Sequence, residues 1–514
     1  MKEKNRYGQY FTVPDIADFM VNMIEHDKEC KVLEPSCGKG VFLSKLEEHG
    51  FRNIDAYEID KSLMPAFPYV RYESFVSSAL NPYDVIIGNP PYIRWKNLEP
   101  ELKAELEGNA LWNTYFNSLC DYLYIFILKS IKQLNENGEL IFICTDYWLN
   151  TTNSLSLRDY MVEYGYFSEI YHFREAPLFE GVCASFIIFR YIKNPHRKES
   201  IKLYSYNDEK HMPDSASLQT KRCFEVTEIP QFKKHKRWLL TTAEKQGMLE
   251  RFEKGCEKQS TTLFGNHEMH CIGEVCDIGN GMVSGLDKAF NITANINILN
   301  NEEQQATINV LKAKDLTQFS HKSESRYLFV NKKMSESDFR YHYPNFFLHL
   351  AKYKELLNKR YNYGKDIPYW EFVFPRSLSL FSRKEDRIFV PCKERISNKN
   401  HFRFSLASSE YMPLQDVTGI FKKAECKESI EYLTAYLNSG YVFEWLKYNG
   451  IIKGYIVEFS ETPIARIPYR PINWNNSEEA FLHDEISKNV RLYIKDNDKA
   501  YLDQIEGHIK RLFA

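Results

Sequence analysis

An α/β fold is predicted for residues 1–195, followed by an α+β domain over residues 196–514. Three observations predict it. Short apolar strands alternate with amphipathic helices through the first part. A glycine-containing turn, Ser36-Cys37-Gly38-Lys39-Gly40, stands between one such strand and the next helix. Past residue 195 this rhythm stops, and polar stretches, prolines and aromatics alternate irregularly.

The elements follow in order. Thr12-Val13-Pro14 opens a helix, because proline suits a first helical turn, and Ile16, Phe19, Met20, Met23 and Ile24 form its apolar stripe. Val32-Leu33 ends a strand, and 41–49 reads as the following helix. Ile54 to Tyr57 is a second strand, closed by Glu58. Asp84 to Gly88 is a buried strand that runs into Asn89-Pro90-Pro91-Tyr92. A helix spans 119–134, then a strand 139–143, and a last apolar strand, 184–191, closes the domain near Asn194-Pro195. Helical periodicity returns at 430–448 and 477–513. No internal repeat or low-complexity tract is present, and 514 residues are too many for one ordinary core.

Composition excludes several classes. With 43% hydrophobic and 26% charged residues, the chain has a soluble globular profile. No run of about 18 apolar residues suggests a membrane span. The charged start, Met1-Lys2-Glu3-Lys4-Asn5-Arg6, has no apolar stretch behind it and argues against secretion. Eleven cysteines without a CxxC pair fit a reducing cytoplasm. A net charge of -2 decides nothing about nucleic acid, since one local basic face suffices to bind it. Most of the 34 Tyr and 35 Phe must be core, leaving a few as stacking surfaces.

The glycine turn lets backbone pass close beneath a ligand, with a helix N-terminus beside it. Glu58 follows roughly 20 residues later at the end of the next strand, where a carboxylate accepts hydrogen bonds from both ribose hydroxyls. Together these mark a nucleoside-binding α/β domain, without saying which nucleoside. Asn89-Pro90-Pro91-Tyr92 carries the chemistry. It lies at the carboxyl end of a buried strand, the edge where open α/β sheets bind ligands. Two prolines remove two N–H donors and leave a loop rich in acceptors. The Asn89 side-chain oxygen and the Pro90 carbonyl suit the two hydrogens of an NH2 group whose lone pair is delocalised into an aromatic ring. Gripping both hydrogens steers the nitrogen towards a tetrahedral shape, so the work is orientation and electrostatics. Tyr92 is placed to stack on the ring.

These motifs, in this order, resemble the TaqI-type, or gamma-class, adenine-N6 DNA methyltransferases of restriction-modification systems. The match runs from Gly8-Gln9-Tyr10-Phe11-Thr12-Val13-Pro14 through Glu34 to Leu43 and Glu58-Ile59-Asp60 to Asn89–Tyr92, over roughly residues 6–192. The resemblance implies a Rossmann-like class I methyltransferase domain with a mixed seven-stranded sheet, using S-adenosyl-L-methionine. It implies that Thr12 holds the methionine carboxylate, that Glu34 and Ser36 line the methionine side, and that Glu58 takes the ribose. Ile59 and Phe75 would flank the cofactor adenine, with Gly38, Asn89 and Pro91 completing the cofactor set. Asn89, Pro90, Pro91 and Tyr92 would form the catalytic loop, and Phe179 a second platform for a base flipped from the duplex. One departure stands out: Ser74 occupies the position of a family aspartate, so a weaker hydrogen bond from Ser74, or one from Glu73, would replace it.

Residues 196–514 are then the target-recognition domain for double-stranded DNA. Ile278 to Gly285, Tyr436 to Ser439 and Glu461 to Pro468 resemble parts of it. Lys233, Lys234, Lys236 and Arg237, in an aromatic-flanked basic run, are candidates for phosphate contact. No metal is expected: His267, His270 and Cys271, near Cys256 and Cys276, match no zinc spacing. A prokaryotic cytoplasmic location follows, and both a separate partner nuclease and an orphan enzyme stay open. The same tetrapeptide serves methyltransferases acting on RNA adenine or on protein glutamine; the long domain after the catalytic one argues for DNA.

Overall fold

The computed structural model describes residues 7–63, 67–179, 181–182, 184–196, 200–208, 210–258, 268–361, 364, 366–396, 399–453 and 456–514. It divides into two compact units, one reaching to Gln246 and one from Gly247 to Ala514.

The first unit is built on strands β1 (Val32–Glu34), β2 (Ile54–Tyr57), β3 (Val70–Arg71), β4 (Tyr83–Gly88), β5 (Leu134–Thr145), β6 (Tyr166–Arg174), β7 (Phe186–Ile192), β8 (Ile201–Tyr206) and β9 (Phe224–Ile229). They form one nine-stranded sheet in the order β3-β2-β1-β4-β5-β7-β6-β8-β9. β1 pairs in parallel with β2 and β4, and β4 with β5, while β7 runs antiparallel between β5 and β6. This is the class I methyltransferase arrangement, an α/β fold. Two strands extend it beyond the predicted seven: β8 joins β6 in parallel, and β9 lies antiparallel on β8.

Those two strands move the unit boundary. The change of texture at residue 195 reflects a change of environment. β8 and β9 read Ile-Lys-Leu-Tyr-Ser-Tyr and Phe-Glu-Val-Thr-Glu-Ile, with Lys202, Glu225, Val226 and Glu228 exposed among buried neighbours, whereas β4 and β7 are buried almost throughout. The strand–helix rhythm ends there, but the sheet does not.

Helices α1 (Pro14–Val21) and α2 (Val41–Glu48) cover one face. Helices α3 (Pro100–Glu107), α4 (Ala110–Tyr115), α5 (Leu123–Gln133) and α6 (Leu155–Tyr164) belong to the other. The period-2 rule of strands sends Val85, Ile87, Ile141 and Ile143 into the core with α1, and Ile86, Leu140 and Phe142 into the core with α5. Each fully buried aliphatic side chain contributes about 1.5–3 kcal/mol. The α5 helix begins later than the sequence predicts, because Asn117 to Cys120 form a turn in which Asn117 Oδ1 accepts the Leu119 amide.

The second unit is α+β. Cys276–Asn280, Val417–Lys422, Arg387–Pro391 and Ser405–Ala407 form an antiparallel sheet in that order. Gly281 must be glycine: a Cβ there would lie 1.9 Å from the Leu414 carbonyl oxygen. The predicted helix over 430–448 is two helices, Ile430–Leu437 and Gly440–Asn449, because Ser439 accepts the Val442 amide and starts a new N-terminus. The stretch 477–513 likewise breaks at Asn497, whose φ is 53°. Among the described residues no helix is long and apolar enough to cross a membrane.

Candidate functional site

β1 and β4 lie side by side, with Val32 opposite Val85 and Leu33 opposite Ile86. Their carboxyl ends therefore set Glu34-Pro35-Ser36 beside Asn89-Pro90-Pro91. A cavity of about 240 Å³ sits at these ends. Its walls include Thr12, Glu34, Ser36, Gly38, Glu58, Ile59, Ser74, Phe75, Asn89 and Pro91, every residue the sequence assigns to the cofactor. Folding brings them together from segments far apart in the chain.

The glycine turn is held from below. Gly40, with φ of 81°, occupies the N-cap of α2 in a left-handed conformation that glycine adopts without strain. The Cys37 amide donates to the Tyr57 carbonyl at 2.9 Å, tying the turn to β2. Glu58 accepts the Gly38 amide and the Asp60 amide, each at 2.7 Å, one per carboxyl oxygen. Burial raises the Glu58 pKa, although these amides pull it down. Glu34 is more extreme. It is 1% exposed, burial pushes its carboxyl well above the ordinary range, and the nearby Glu58 charge pushes the same way. Its Oε2 is buried without a hydrogen-bond partner. A cavity with an orphaned carboxyl oxygen at one end, a second acid beside it and Ile59 and Phe75 as apolar walls suits a cationic nucleoside.

The Asn89–Tyr92 loop is equally constrained. Asn89 Nδ2 donates to the Tyr10 carbonyl at 2.7 Å and to Thr12 Oγ1 at 3.1 Å. A carbonyl only accepts, so this contact fixes which end of the amide is nitrogen. Asn89 Oδ1 is thereby turned the other way, where it accepts the Tyr92 hydroxyl at 3.1 Å. Ser36 donates to the Asn89 carbonyl at 3.3 Å, coupling the two strand-end loops.

The aromatic residues are arranged differently from the simple expectation of two platforms. Tyr92 stacks on Tyr10, with ring centres 5.5 Å apart and planes 7° from parallel. Tyr10 also meets Phe179 edge-on at 6.3 Å, so its ring stands between the two residues assigned to the base. Phe179 is buried and packs on Phe186 at 4.8 Å. The sequence reading gave Tyr10 no role; its only signal was an aromatic in the Gly8–Pro14 element. Gly8, with φ of 64°, has no room for a Cβ, which would lie 2.4 Å from Ile93. That close approach docks the element on the loop after Tyr92, and Gln9 Nε2 anchors it further on Asp60 at 2.9 Å.

Ser74 lines the cavity, and its Oγ accepts the Val76 amide at 3.2 Å. Glu73 is exposed and does not line this cavity. Lys129, on α5, is a second residue that sequence reasoning missed. Its buried ammonium donates to the carbonyls of Phe75, Val76 and Ser78, clamping the loop that carries Phe75. Burial draws its pKa down to about 8.

The basic run after β9 is anchored at both ends. Phe232 and Trp238 are buried and stacked at 4.5 Å, and Lys234 pairs with Glu163 at 2.8 Å. Lys233, Lys236 and Arg237 are exposed. His270 pairs with Glu274, and Cys256 meets the Tyr436 hydroxyl; His267 lies outside the described residues. Among the described residues no cluster of three potential metal ligands occurs.

Comparison with known proteins agrees with this geometry. Residues 1–63 match the family model for N-6 DNA methylases, and residues 37–179 that for Eco57I restriction-modification methylases. Type II methyltransferase M.HindII of Haemophilus influenzae Rd is 44% identical over 517 residues, covering 99% of this chain and 98% of that protein. Type II methyltransferase M.HincII of Haemophilus influenzae is 41% identical over the same span. Among solved structures, the type IIL restriction-modification enzyme MmeI in complex with DNA matches 98% of this chain and 72% of its own, with a TM-score of 0.55 at 12% identity, a likeness of fold alone.

Proposed function

Because the chain belongs to the type II DNA methyltransferases of restriction-modification systems, we propose that it methylates adenine N6 at a specific site in duplex DNA, with S-adenosylmethionine as donor and the target base flipped into the catalytic loop. One observation carries the reading. The Asn89 amide is locked by the Tyr10 carbonyl and Thr12 Oγ1, which turns its oxygen to the Tyr92 hydroxyl.

When bound, the cofactor supplies an electrophilic methyl carbon. Glu34, with its orphaned oxygen, and Glu58 would balance the cation and accept the ribose hydroxyls; Thr12 and Ser36 would flank the methionine end. Asn89 Oδ1 and the Pro90 carbonyl would each hold one N–H of the amine. With both hydrogens gripped, the nitrogen lone pair leaves conjugation and points at the donor. Forming the N–C bond would break the donor's methyl–sulfur bond, whose electron pair stays on sulfur, and one of the two protons held at these oxygens would then pass to solvent, so no general base is required. The Tyr92 hydroxyl now on Asn89 Oδ1 must yield that position to the amine.

Sequencing that detects N6-methyladenine in DNA from cells expressing the chain tests this directly, and it also reports the site. Labelled methyl groups appearing in RNA or on protein glutamine, and not in duplex adenine, would overturn it.

A further inference from the structure

A second cavity, of about 420 Å³, opens on the far side of the Tyr10–Tyr92 pair. Gly8 and Tyr10 line both cavities, so the Gly8–Tyr10 segment borders each of them. The outer cavity is walled by Tyr92 and by the next turn of chain, which brings in Arg94, Lys96 and Asn97. All three of these side chains are exposed. Their backbone is pinned. Arg94 bridges Asp121, the Tyr122 amide donates to the Ile93 carbonyl at 2.9 Å, and the Asn97 amide donates to the Arg94 carbonyl at 2.8 Å. Trp95, between the two cations, stacks on Trp112 with ring centres 5.6 Å apart. Two positive side chains are thus presented from a fixed turn into an open polar space bounded by the tyrosine proposed to receive the base. Asp121, across the bridge from Arg94, is buried and accepts the Leu123 amide.

We propose that this outer cavity binds the phosphodiester of the target nucleotide, with Arg94 and Lys96 as its cationic contacts. The inference rests on the methyltransferase reading above and assigns residues to the backbone of the flipped nucleotide. A base and its flanking phosphates are joined through one sugar, so when the base lies against Tyr92 its phosphates must sit just outside that slot. Charge complementarity favours an anion there, and each contact with a phosphate releases condensed counterions.

The test uses the full chain and a duplex carrying the site that sequencing identifies, with Arg94→Gln, Lys96→Gln and the double variant. Duplex affinity is followed across a salt titration, and cofactor affinity is measured separately to establish that each variant is folded. Each single change should lower the salt slope by about one and the double change by about two. In a second arm the two phosphates flanking the target adenine are replaced by neutral methylphosphonates. The parent should lose affinity on that duplex, whereas the double variant should bind both duplexes alike. An unchanged slope in the double variant, or losses from protein and phosphate changes that simply add, would overturn the assignment. If the parent leaves adenine in the unmodified duplex unmethylated, the underlying functional reading fails, a result distinct from either of these.

Discussion

At the scale of single residues, the proposed site would work by fixing a few polar atoms. Asn89→Ala removes an acceptor aligned by two hydrogen bonds. Methylation should fall by about 100–1,000-fold, the usual effect of deleting one preorganised polar group, with cofactor affinity in calorimetry nearly unchanged. Glu34 and Glu58 yield a pH prediction. Their carboxyls are raised in the folded chain, so the folded protein keeps protons that the unfolded chain has already released. Above the ordinary glutamate range, stability of the cofactor-free protein should therefore fall as pH rises. A cationic cofactor prefers the ionised carboxyls, so its affinity should move oppositely and weaken as pH falls through their raised pKa values. Melting curves and binding isotherms across pH 5 to 8 read the two trends; parallel trends would refute the assignment. The aromatic pair separates by burial. Tyr92→Ala should weaken stacking of a 2-aminopurine at the target position by about 1–3 kcal/mol. Phe179→Ala empties a buried position and should in addition lower stability by about 3–5 kcal/mol in denaturant titrations.

At the scale of elements, strand-end loops carry the proposed chemistry and a buried helix holds one of the cavity's loops. The β1 and β4 loops meet because the strands pair in parallel, and Ser36 links them. The loop holding Ser74 and Phe75 has no such strand partner. Its carbonyls converge on Lys129, a charge 2% exposed on α5. Lys129→Met keeps the length of the stem but leaves these acceptors without a donor. Stability should drop by about 2–4 kcal/mol, from more than one unpaired carbonyl, and cofactor affinity should fall with it, since Phe75 lines the cavity. A variant with unchanged melting and unchanged cofactor binding would show that the clamp does nothing.

At the scale of the whole molecule, the cavity proposed for the cofactor and the proposed catalytic loop lie within the first compact unit, and the second unit is the proposed recognition part. Gly281→Ala probes this division. The added Cβ would collide with the Leu414 backbone, far from any cavity residue in the chain, and should destabilise the second unit. Site-specific DNA binding and methylation should suffer first, while cofactor affinity persists within about a factor of two. Loss of both together would mean that the units do not behave separately.

The sequence by itself determined the sheet's first strands, the glycine turn and the Asn89-Pro90-Pro91-Tyr92 loop at a strand end. These depend on local rules: period-2 apolar runs, glycine at left-handed positions and paired prolines at a strand end. Every residue the sequence assigns to the cofactor lines one cavity; Glu34, Ser36, Glu58, Ile59 and Asn89 do so from strand ends that parallel pairing gathers on one edge, while Thr12, Ser74 and Phe75 come from connecting loops. The tertiary structure alone decided the rest. β8 and β9 belong to the first sheet because β8 bonds to β6 and β9 to β8, pairings that no local pattern announces. Tyr10 lies on Tyr92, and Lys129 beneath Phe75, because folding brings segments distant in the chain into contact. Such pairings are chosen by the packing of the whole core, and a reading confined to neighbouring residues carries no information about them.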